Sequence, residues 1–102
     1  MGKYKVELLP AAWDDLQEIS DYIFLDSPQT AESTVAKILS SLRNLEEFPN
    51  AGSFPPDIDL KKRGFRMVVS SPYISFYRLI NDTVYVYHIV HGARNYPSLF
   101  NS

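Results

Sequence analysis

Three residues of the C-terminal half have the chemistry needed to cleave a phosphodiester: Arg66, His91 and Arg94. A histidine side chain exchanges protons near neutral pH, so His91 could serve as a general acid or base. An arginine guanidinium offers paired donors in a fixed plane, which suits it to hold a phosphate and to neutralise charge at phosphorus. Because Gly92 lets the chain turn after His91, Arg94 can lie near that histidine. The three residues are therefore a candidate site for cleavage by an RNA 2′-hydroxyl.

Each of these residue types also has a plain structural role. A histidine at the end of a strand commonly bonds to neighbouring backbone, and His88, inside the same run, is expected to be structural. Arg66 and Arg78 could hold a phosphate or act as cross-strand charge partners. Tyrosine hydroxyls and rings could bind a ligand, but tyrosines at alternate positions are also favoured in sheets. The tyrosines concerned are Tyr73, Tyr77, Tyr85, Tyr87 and Tyr96.

The sequence indicates no metal or cofactor site. His88 and His91 are three apart on one predicted strand and would point to opposite faces, and no acidic residue lies near them in the sequence. The chain has no phosphate loop, nucleophile elbow or dinucleotide fingerprint. It has no cysteine, which excludes disulfides and thiolate chemistry. We therefore expect neither a metal ion nor an organic cofactor.

The length of 102 residues, 45% of them apolar, predicts one domain with one core across residues 1–102. No apolar run approaches the roughly 18 residues of a membrane span, and the N-terminus lacks the apolar core of a signal peptide. We therefore expect a cytoplasmic protein without a membrane partner.

Acidic and basic residues separate along the chain. Residues 1–60 hold four lysines and arginines against eleven aspartates and glutamates, a balance of −7, whereas residues 61–102 hold six against one, a balance of +5. Surface charge can serve solubility alone, but this one-sidedness favours a basic face for an acidic peptide, a nucleic acid or an acidic protein surface. The residues expected to bind a target or partner are Lys61, Lys62, Arg63, Arg66, Tyr73, Arg78, Arg94 and Tyr96.

Two helices are predicted in the acidic half, after a short strand at residues 3–9 that Pro10 ends. The first helix covers residues 11–25, and the second runs from Pro28 to about Glu47 behind a Ser27 cap. Each has an apolar stripe, so the two should pack as a hairpin. The apolar stripe of the first helix consists of Trp13, Leu16, Ile19 or Ser20, and Ile23. The acidic residues of this helix lie outside its stripe: Asp14, Asp15, Glu18 and Asp21. The apolar stripe of the second helix consists of Ala31, Val35, Ile38, Leu42 and Leu45.

After a proline-rich loop at residues 48–57, three strands are predicted at residues 64–70, 73–80 and 83–90. Asn81 and Asp82 join the last two strands in a tight turn, because both residue types tolerate positive φ. Both strands carry apolar residues at even and odd positions, which predicts a hairpin covered on both faces. The order β-α-α-β-β-β indicates an α+β fold, a mostly antiparallel four-stranded sheet with a helical hairpin on one face.

Several short stretches, none specific alone, follow one another in an order and spacing typical of one protein family. They are PAAWDDLQEI at residues 10–19, Tyr22-Ile23, Pro28 with Ala31, LEEFPNAG at residues 45–52, Arg66, YISFYR at residues 73–78 and IVHGAR at residues 89–94. From about Tyr4 to Phe100 the chain resembles the RelE/ParE superfamily of toxins from bacterial type II toxin–antitoxin modules.

The resemblance implies a toxin that arrests growth when it is free of a co-encoded antitoxin. In such families the C-terminal segment of the antitoxin wraps the toxin, and the complex usually represses its own operon. Operator DNA would then be bound only through the antitoxin complex. An acidic, amphipathic antitoxin segment laid over the basic sheet and the helical hairpin fits the charge separation along this chain.

The superfamily divides by target. RelE-like members cleave mRNA in the ribosomal A site, whereas ParE-like members are non-enzymatic poisons of DNA gyrase. The nuclease pattern places an arginine directly after the tyrosine that opens the third strand, where this chain has Ile74, and a functional tyrosine near Phe100. Of the basic residues expected on the second strand only Arg66 is present, although Arg94 matches the arginine after the last strand.

The resemblance therefore favours a ParE-like inhibitor of DNA gyrase. The alternative is a RelE-like, ribosome-dependent mRNA endonuclease that uses Arg66, His91 and Arg94. A third possibility is a degenerate toxin that no longer acts on a target and has kept only the ability to bind its antitoxin.

Overall fold

The computed structural model describes residues 3–93 and 96–100. In the sheet, β1 runs parallel to β4, whereas the pairs β4–β3 and β3–β2 are antiparallel, and the spatial order is β1-β4-β3-β2. The four strands are β1 (Lys5–Leu8), β2 (Arg66–Ser70), β3 (Tyr73–Ile80) and β4 (Thr83–His91). The predicted α+β class and mostly antiparallel sheet are confirmed.

Helix α1 (Pro10–Phe24) starts with proline in its first turn, where no internal amide partner is needed. Ala12 and Leu16 are its buried residues, and Ile19 packs against them, so the stripe follows the i, i+4, i+7 row. The prediction that Trp13 belongs to this stripe is wrong, since its side chain is 53% exposed. One residue along a helix is a rotation of about 100°, which moves Trp13 off the row that faces the sheet.

Helix α2 (Pro28–Arg43) begins as predicted, with the Ser27 hydroxyl oxygen accepting a hydrogen bond from the Thr30 amide at 3.2 Å. Its buried residues Ala31, Ile38 and Leu42 have the predicted spacing. A short 3-10 turn continues the chain to Glu46, so the regular helix ends earlier than predicted.

The hairpin of β3 and β4 turns at Asn81, whose φ is +58°, as a tight turn between strands requires. A bulge lies in this pair, because Phe76 is opposite His88 while Tyr77 is opposite Val86. Tyr87 is thus the extra residue, and both Tyr87 and His88 reach the same side of the sheet.

Buried side chains lie on both faces of the sheet, which confirms the prediction that the hairpin is covered twice. The inner cluster, beneath the helical hairpin, consists of Ala12, Leu16, Ile38, Leu42, Leu45, Tyr77, Val84, Val86 and Ile89. The outer cluster consists of Leu60, Phe65, Phe76, Val90 and Phe100.

A helix that was not predicted from the sequence contributes Leu60 to the outer cluster. Helix α3 (Ile58–Lys62) is capped by the Asp57 carboxylate, which accepts a hydrogen bond from the Leu60 amide at 2.9 Å. Gly64, with φ +87°, follows the end of this helix. The strand predicted to begin at Gly64 therefore begins only at Arg66.

Candidate functional site

Helix α1 covers the part of β4 that β1 leaves unpaired. Strand β1 ends opposite Val86, and the Leu9 amide makes one more bond to the Val86 carbonyl at 3.0 Å. One carboxylate oxygen of Asp15 then accepts the Ile89 amide at 2.9 Å and lies 2.8 Å from Nδ1 of His88. The expectation that no acidic residue lies near the histidines is therefore wrong, and Asp15, predicted to lie off the apolar stripe of the first helix, contacts the sheet. The sequence hid this pair because α1 and β4 are far apart in the chain.

His91 lies at the end of β4, directly opposite Tyr73, with the two rings edge to face at 5.7 Å. Its Nδ1 accepts a hydrogen bond from the Ala93 amide at 3.1 Å. The exposed imidazole borders a surface pocket of about 320 Å³ that is also lined by Asp15, Glu18 and Tyr22. His91 thus bonds to neighbouring backbone, the structural alternative, while one side of its ring faces an open, acidic pocket.

Arg66 holds the loop that precedes α3. One of its guanidinium nitrogens donates to the Gly52 carbonyl at 2.9 Å and to the Asn50 carbonyl at 3.3 Å, and the guanidinium lies 4.4 Å from the ring centre of Phe54. Within the loop, Ser53 pairs with Met67 through amide–carbonyl bonds of 2.9 and 2.8 Å. One of the three guanidinium nitrogens that could bind a phosphate is therefore directed at backbone of the same chain.

Tyr77 secures the same loop from beneath. Its hydroxyl donates to the Pro49 carbonyl at 2.8 Å and accepts from the Gly52 amide at 3.0 Å. Burial raises the pKa of this hydroxyl, and the hydrogen bond from Gly52 and the charge of Arg66 partly offset that rise. The ring is fully buried in the inner cluster, so Tyr77 is a loop anchor rather than a ligand-binding residue.

The structure does not bring Arg66 and His91 together. Arg66 is opposite Tyr77 and His91 is opposite Tyr73, which puts the two residues two strands and four positions apart. At about 4.8 Å per strand and 3.3 Å per residue, their Cα atoms are roughly 16 Å apart. Arg94, the third member of the predicted set, lies outside the described residues.

The remaining predicted binding residues make different contacts. Lys61 lies 5.1 Å from the ring centre of Phe54. Tyr96 packs on Phe76 at 4.6 Å within the outer cluster, and Tyr73 stays beside His91. Lys62 and Arg63 are exposed at the end of α3.

Arg78 lies on the outer face above Phe65 and Tyr87. Among residues 3–93 and 96–100, neither Arg66 nor Arg78 forms an ion pair, so the reading as cross-strand charge partners is wrong for that part of the chain. Phe100, at the place where the nuclease pattern expects a functional tyrosine, is buried in the outer cluster.

A second surface lies on the outside of the helical hairpin, over which the resemblance places an antitoxin segment. Large apolar side chains are exposed here, with Trp13 and Phe24 each more than half exposed. Trp13 borders a groove between the helices with Leu16, Val35 and Leu39, and an adjoining groove is lined by Phe24, Pro28, Ala31 and Val35. Polar side chains also line the two grooves, namely Gln17, Ser20, Gln29 and Glu32. Exposed aromatic rings beside a groove are typical of a protein interface. We call this surface the hairpin groove.

Within residues 3–93 and 96–100, no three histidine, cysteine, aspartate or glutamate side chains lie close enough to hold a metal ion. None of the helices described is long and apolar enough to span a membrane.

The described residues thus form a four-stranded sheet with a helical hairpin on one face, and Arg66 and His91 lie apart on that sheet. The family model for the ParE toxin of the type II toxin–antitoxin system parDE matches residues 6–96. That stretch is most of the chain, and the protein belongs to the ParE toxin family, within the RelE/ParE superfamily that the sequence indicated.

Two solved structures share the fold. The chromosomal ParDE toxin–antitoxin system from P. aeruginosa is similar over 87% of this chain and 96% of that one, with a TM-score of 0.72 and 22% identity. The toxin–antitoxin complex RelBE2 from Mycobacterium tuberculosis is similar over 87% of this chain and 98% of that one, with a TM-score of 0.64 and 20% identity. No protein with a curated description matches the sequence.

Proposed function

We propose that this toxin arrests growth by binding DNA gyrase and trapping its cleavage complex, without being an enzyme itself. The observation that carries the proposal is the position of Arg66, whose Cα atom lies roughly 16 Å from that of His91. Its guanidinium donates to the Asn50 and Gly52 carbonyls. A nuclease site needs its proton-transfer group and its phosphate ligand on the same phosphodiester. Membership of the ParE toxin family supports the same reading.

We further propose that a co-encoded antitoxin holds the toxin inactive in the cytoplasm and that the hairpin groove receives it. Both similar solved structures are toxin–antitoxin systems or complexes. Trp13 and Phe24 would anchor an amphipathic helix of the antitoxin, because exposed aromatic rings beside a groove bury much apolar area on binding. Operator DNA would be bound through the antitoxin of the complex.

The purified chain, added to DNA gyrase, ATP and relaxed plasmid, tests the proposal. We expect loss of supercoiling and, after denaturation with detergent, linear plasmid that marks a trapped cleavage complex. His91→Ala is the matched control and should inhibit as strongly as the original chain. Intact supercoiling at saturating toxin would refute gyrase as the target.

Mapping of mRNA 5′ ends after induced expression separates the alternatives. Codon-position-specific cuts that disappear in His91→Ala would establish the ribosome-dependent nuclease instead. If expression without a partner leaves growth, plasmid topology and mRNA unchanged, the chain has kept only antitoxin binding.

A further inference from the structure

Two arginines rest on one buried aromatic ring on the face of the sheet opposite the helical hairpin. The guanidinium carbons of Arg63 and Arg78 lie 5.5 and 5.4 Å from the ring centre of Phe65. Because both are this close to the same point, the two guanidinium carbons are at most about 11 Å apart. This distance is within reach of one or two acidic side chains that enter between them.

Contacts with the fold hold both guanidinium groups in place. Arg63 donates to the Phe100 carbonyl at 3.2 Å, and its side chain is still 41% exposed. Arg78 also lies 5.8 Å from the ring centre of Tyr87. Phe65 itself is fixed by edge contacts with Tyr87 at 4.9 Å and Phe100 at 4.8 Å. An anion would therefore meet donors that are already ordered, which lowers the entropy cost of binding.

The positive charge at this place is not balanced by the described residues. Arg78 makes no ion pair with any of them, and Arg63 meets only Asp59, at 3.5 Å, in an exposed pair of little strength. Glu7 shares the cross-strand row through Tyr85, but it is two strands from Arg78, about 10 Å between Cα atoms. An anion bound here would relieve the repulsion between the two guanidinium groups.

We propose that Arg63 and Arg78 form a carboxylate-binding site for an acidic peptide segment of a protein partner. The inference rests on the proposed function, because the antitoxin is the partner expected to bring such a segment. An arginine fork pairs with a carboxylate through two parallel hydrogen bonds, which lysine cannot make.

A nucleic acid fits this site less well than an acidic peptide. Phe65 is fully buried, so its ring offers no surface on which a base could stack. The net charge of −2 and the acidic first sixty residues repel a long polyanion, whereas a short peptide experiences mainly the local charge.

The test is an NMR titration of the ¹⁵N-labelled chain at low salt with a capped twelve-residue peptide of alternating glutamate and alanine. We expect the arginine Nε–H resonances of Arg63 and Arg78 to shift on binding. The double variant Arg63→Gln, Arg78→Gln should weaken binding about tenfold, and Lys37→Gln, which removes one exposed charge from α2, should change it less than twofold. A peptide with glutamine in place of glutamate should not bind.

Three results would contradict the proposed carboxylate-binding site. They are unchanged binding by the double variant, an equal loss in Lys37→Gln, and tighter binding of a twelve-nucleotide single-stranded DNA that the double variant abolishes. Circular dichroism checks that each variant is folded. If the double variant unfolds, the double variant Arg63→Lys, Arg78→Lys keeps the charge without the fork and should still bind the peptide at least threefold more weakly.

The titration contains neither gyrase nor antitoxin, so its outcome is independent of the proposed function. A chain that traps gyrase but ignores the glutamate peptide keeps the function and loses the site. A chain that binds the peptide through Arg63 and Arg78 but leaves supercoiling intact keeps the site and loses gyrase as the target.

Discussion

The carboxylate of Asp15 on α1 joins the helix to the open edge of β4, where it lies 2.8 Å from His88 Nδ1. The same oxygen accepts the backbone amide of Ile89. A side chain thus replaces the neighbouring strand at the point where β1 has ended.

Asp15→Ala should lower the free energy of unfolding by about 2–3 kcal/mol, because it removes a charged acceptor from two half-buried donors. Urea unfolding followed by circular dichroism measures the change. Asp14→Ala, at the adjacent exposed position, is the control and should stay within about 0.5 kcal/mol of the original chain. Equal effects of the two substitutions would show that the link to β4 contributes nothing.

Tyr77→Phe should cost about 1–3 kcal/mol, since it leaves the Pro49 carbonyl and the Gly52 amide without their partner. Tyr85→Phe is the matched control, because the Tyr85 hydroxyl makes no hydrogen bond with the described residues, and we expect less than about 0.5 kcal/mol there. Proteolysis of loop 48–57 should also speed up in Tyr77→Phe alone. An unchanged rate would mean that Tyr77 does not anchor the loop.

Stability should fall as the pH rises above 10, the ordinary pKa of tyrosine. Burial raises the pKa of Tyr77 in the folded chain, so the unfolded chain loses this proton first and alkali favours unfolding. The contribution is complete below pH 10 and is lost as the pH rises through the folded-state pKa. Unfolding midpoints of the original chain and of Tyr77→Phe between pH 8 and pH 11 measure it, and Tyr77→Phe should show the shallower slope.

Gly52→Ala should destabilise the chain by about 2–4 kcal/mol, because a Cβ there would lie 2.6 Å from the Tyr77 hydroxyl and 2.7 Å from the Met67 carbonyl. At Gly92 the nearest atom to a new Cβ is the Pro72 carbonyl at 3.4 Å, so Gly92→Ala should cost less than about 1 kcal/mol. Thermal unfolding of both variants checks the order. A reversed order would show that the loop is not seated against Tyr77.

Trp13→Ala should change the free energy of unfolding by less than about 1 kcal/mol, because more than half of the Trp13 surface is exposed to water in the folded chain. Leu16→Ala, one turn away and buried, should cost about 2–5 kcal/mol. If the hairpin groove receives the antitoxin, co-expression with the co-encoded antitoxin should protect cells from the original chain but not from Trp13→Ala. Equal protection would remove the groove from the interface.

The parts of the fold that depend on local sequence were predicted well. The spacing from Ala31 to Leu42 and the Asn81 turn each specify their element with information from a few neighbouring residues. Helix α3 was missed because five residues carry almost no periodicity, although Asp57 is a residue type favoured at a helix N-cap.

The candidate site depended on distant relationships that the sequence does not carry. Whether Arg66 meets His91 is decided by the register of three strands, in which a shift of one residue moves a side chain to the other face. The destination of the Arg66 guanidinium depends on a loop folding back to present the Asn50 and Gly52 carbonyls. The contact of Asp15 with β4 was not predicted, because α1 alone does not reveal where β1 stops.

The pairing of Ser53 with Met67 also bears on aggregation. Strand β2 is the last in its sheet, and an open last strand is a template on which another chain can pair. Ser53 occupies the backbone groups of Met67, so the length of β2 left for such pairing is confined to the residues around Val69. Few backbone hydrogen bonds could then form between the β2 strands of two molecules. The loop that Arg66 and Tyr77 hold in place thereby shortens the part of the β2 edge that is open to another chain.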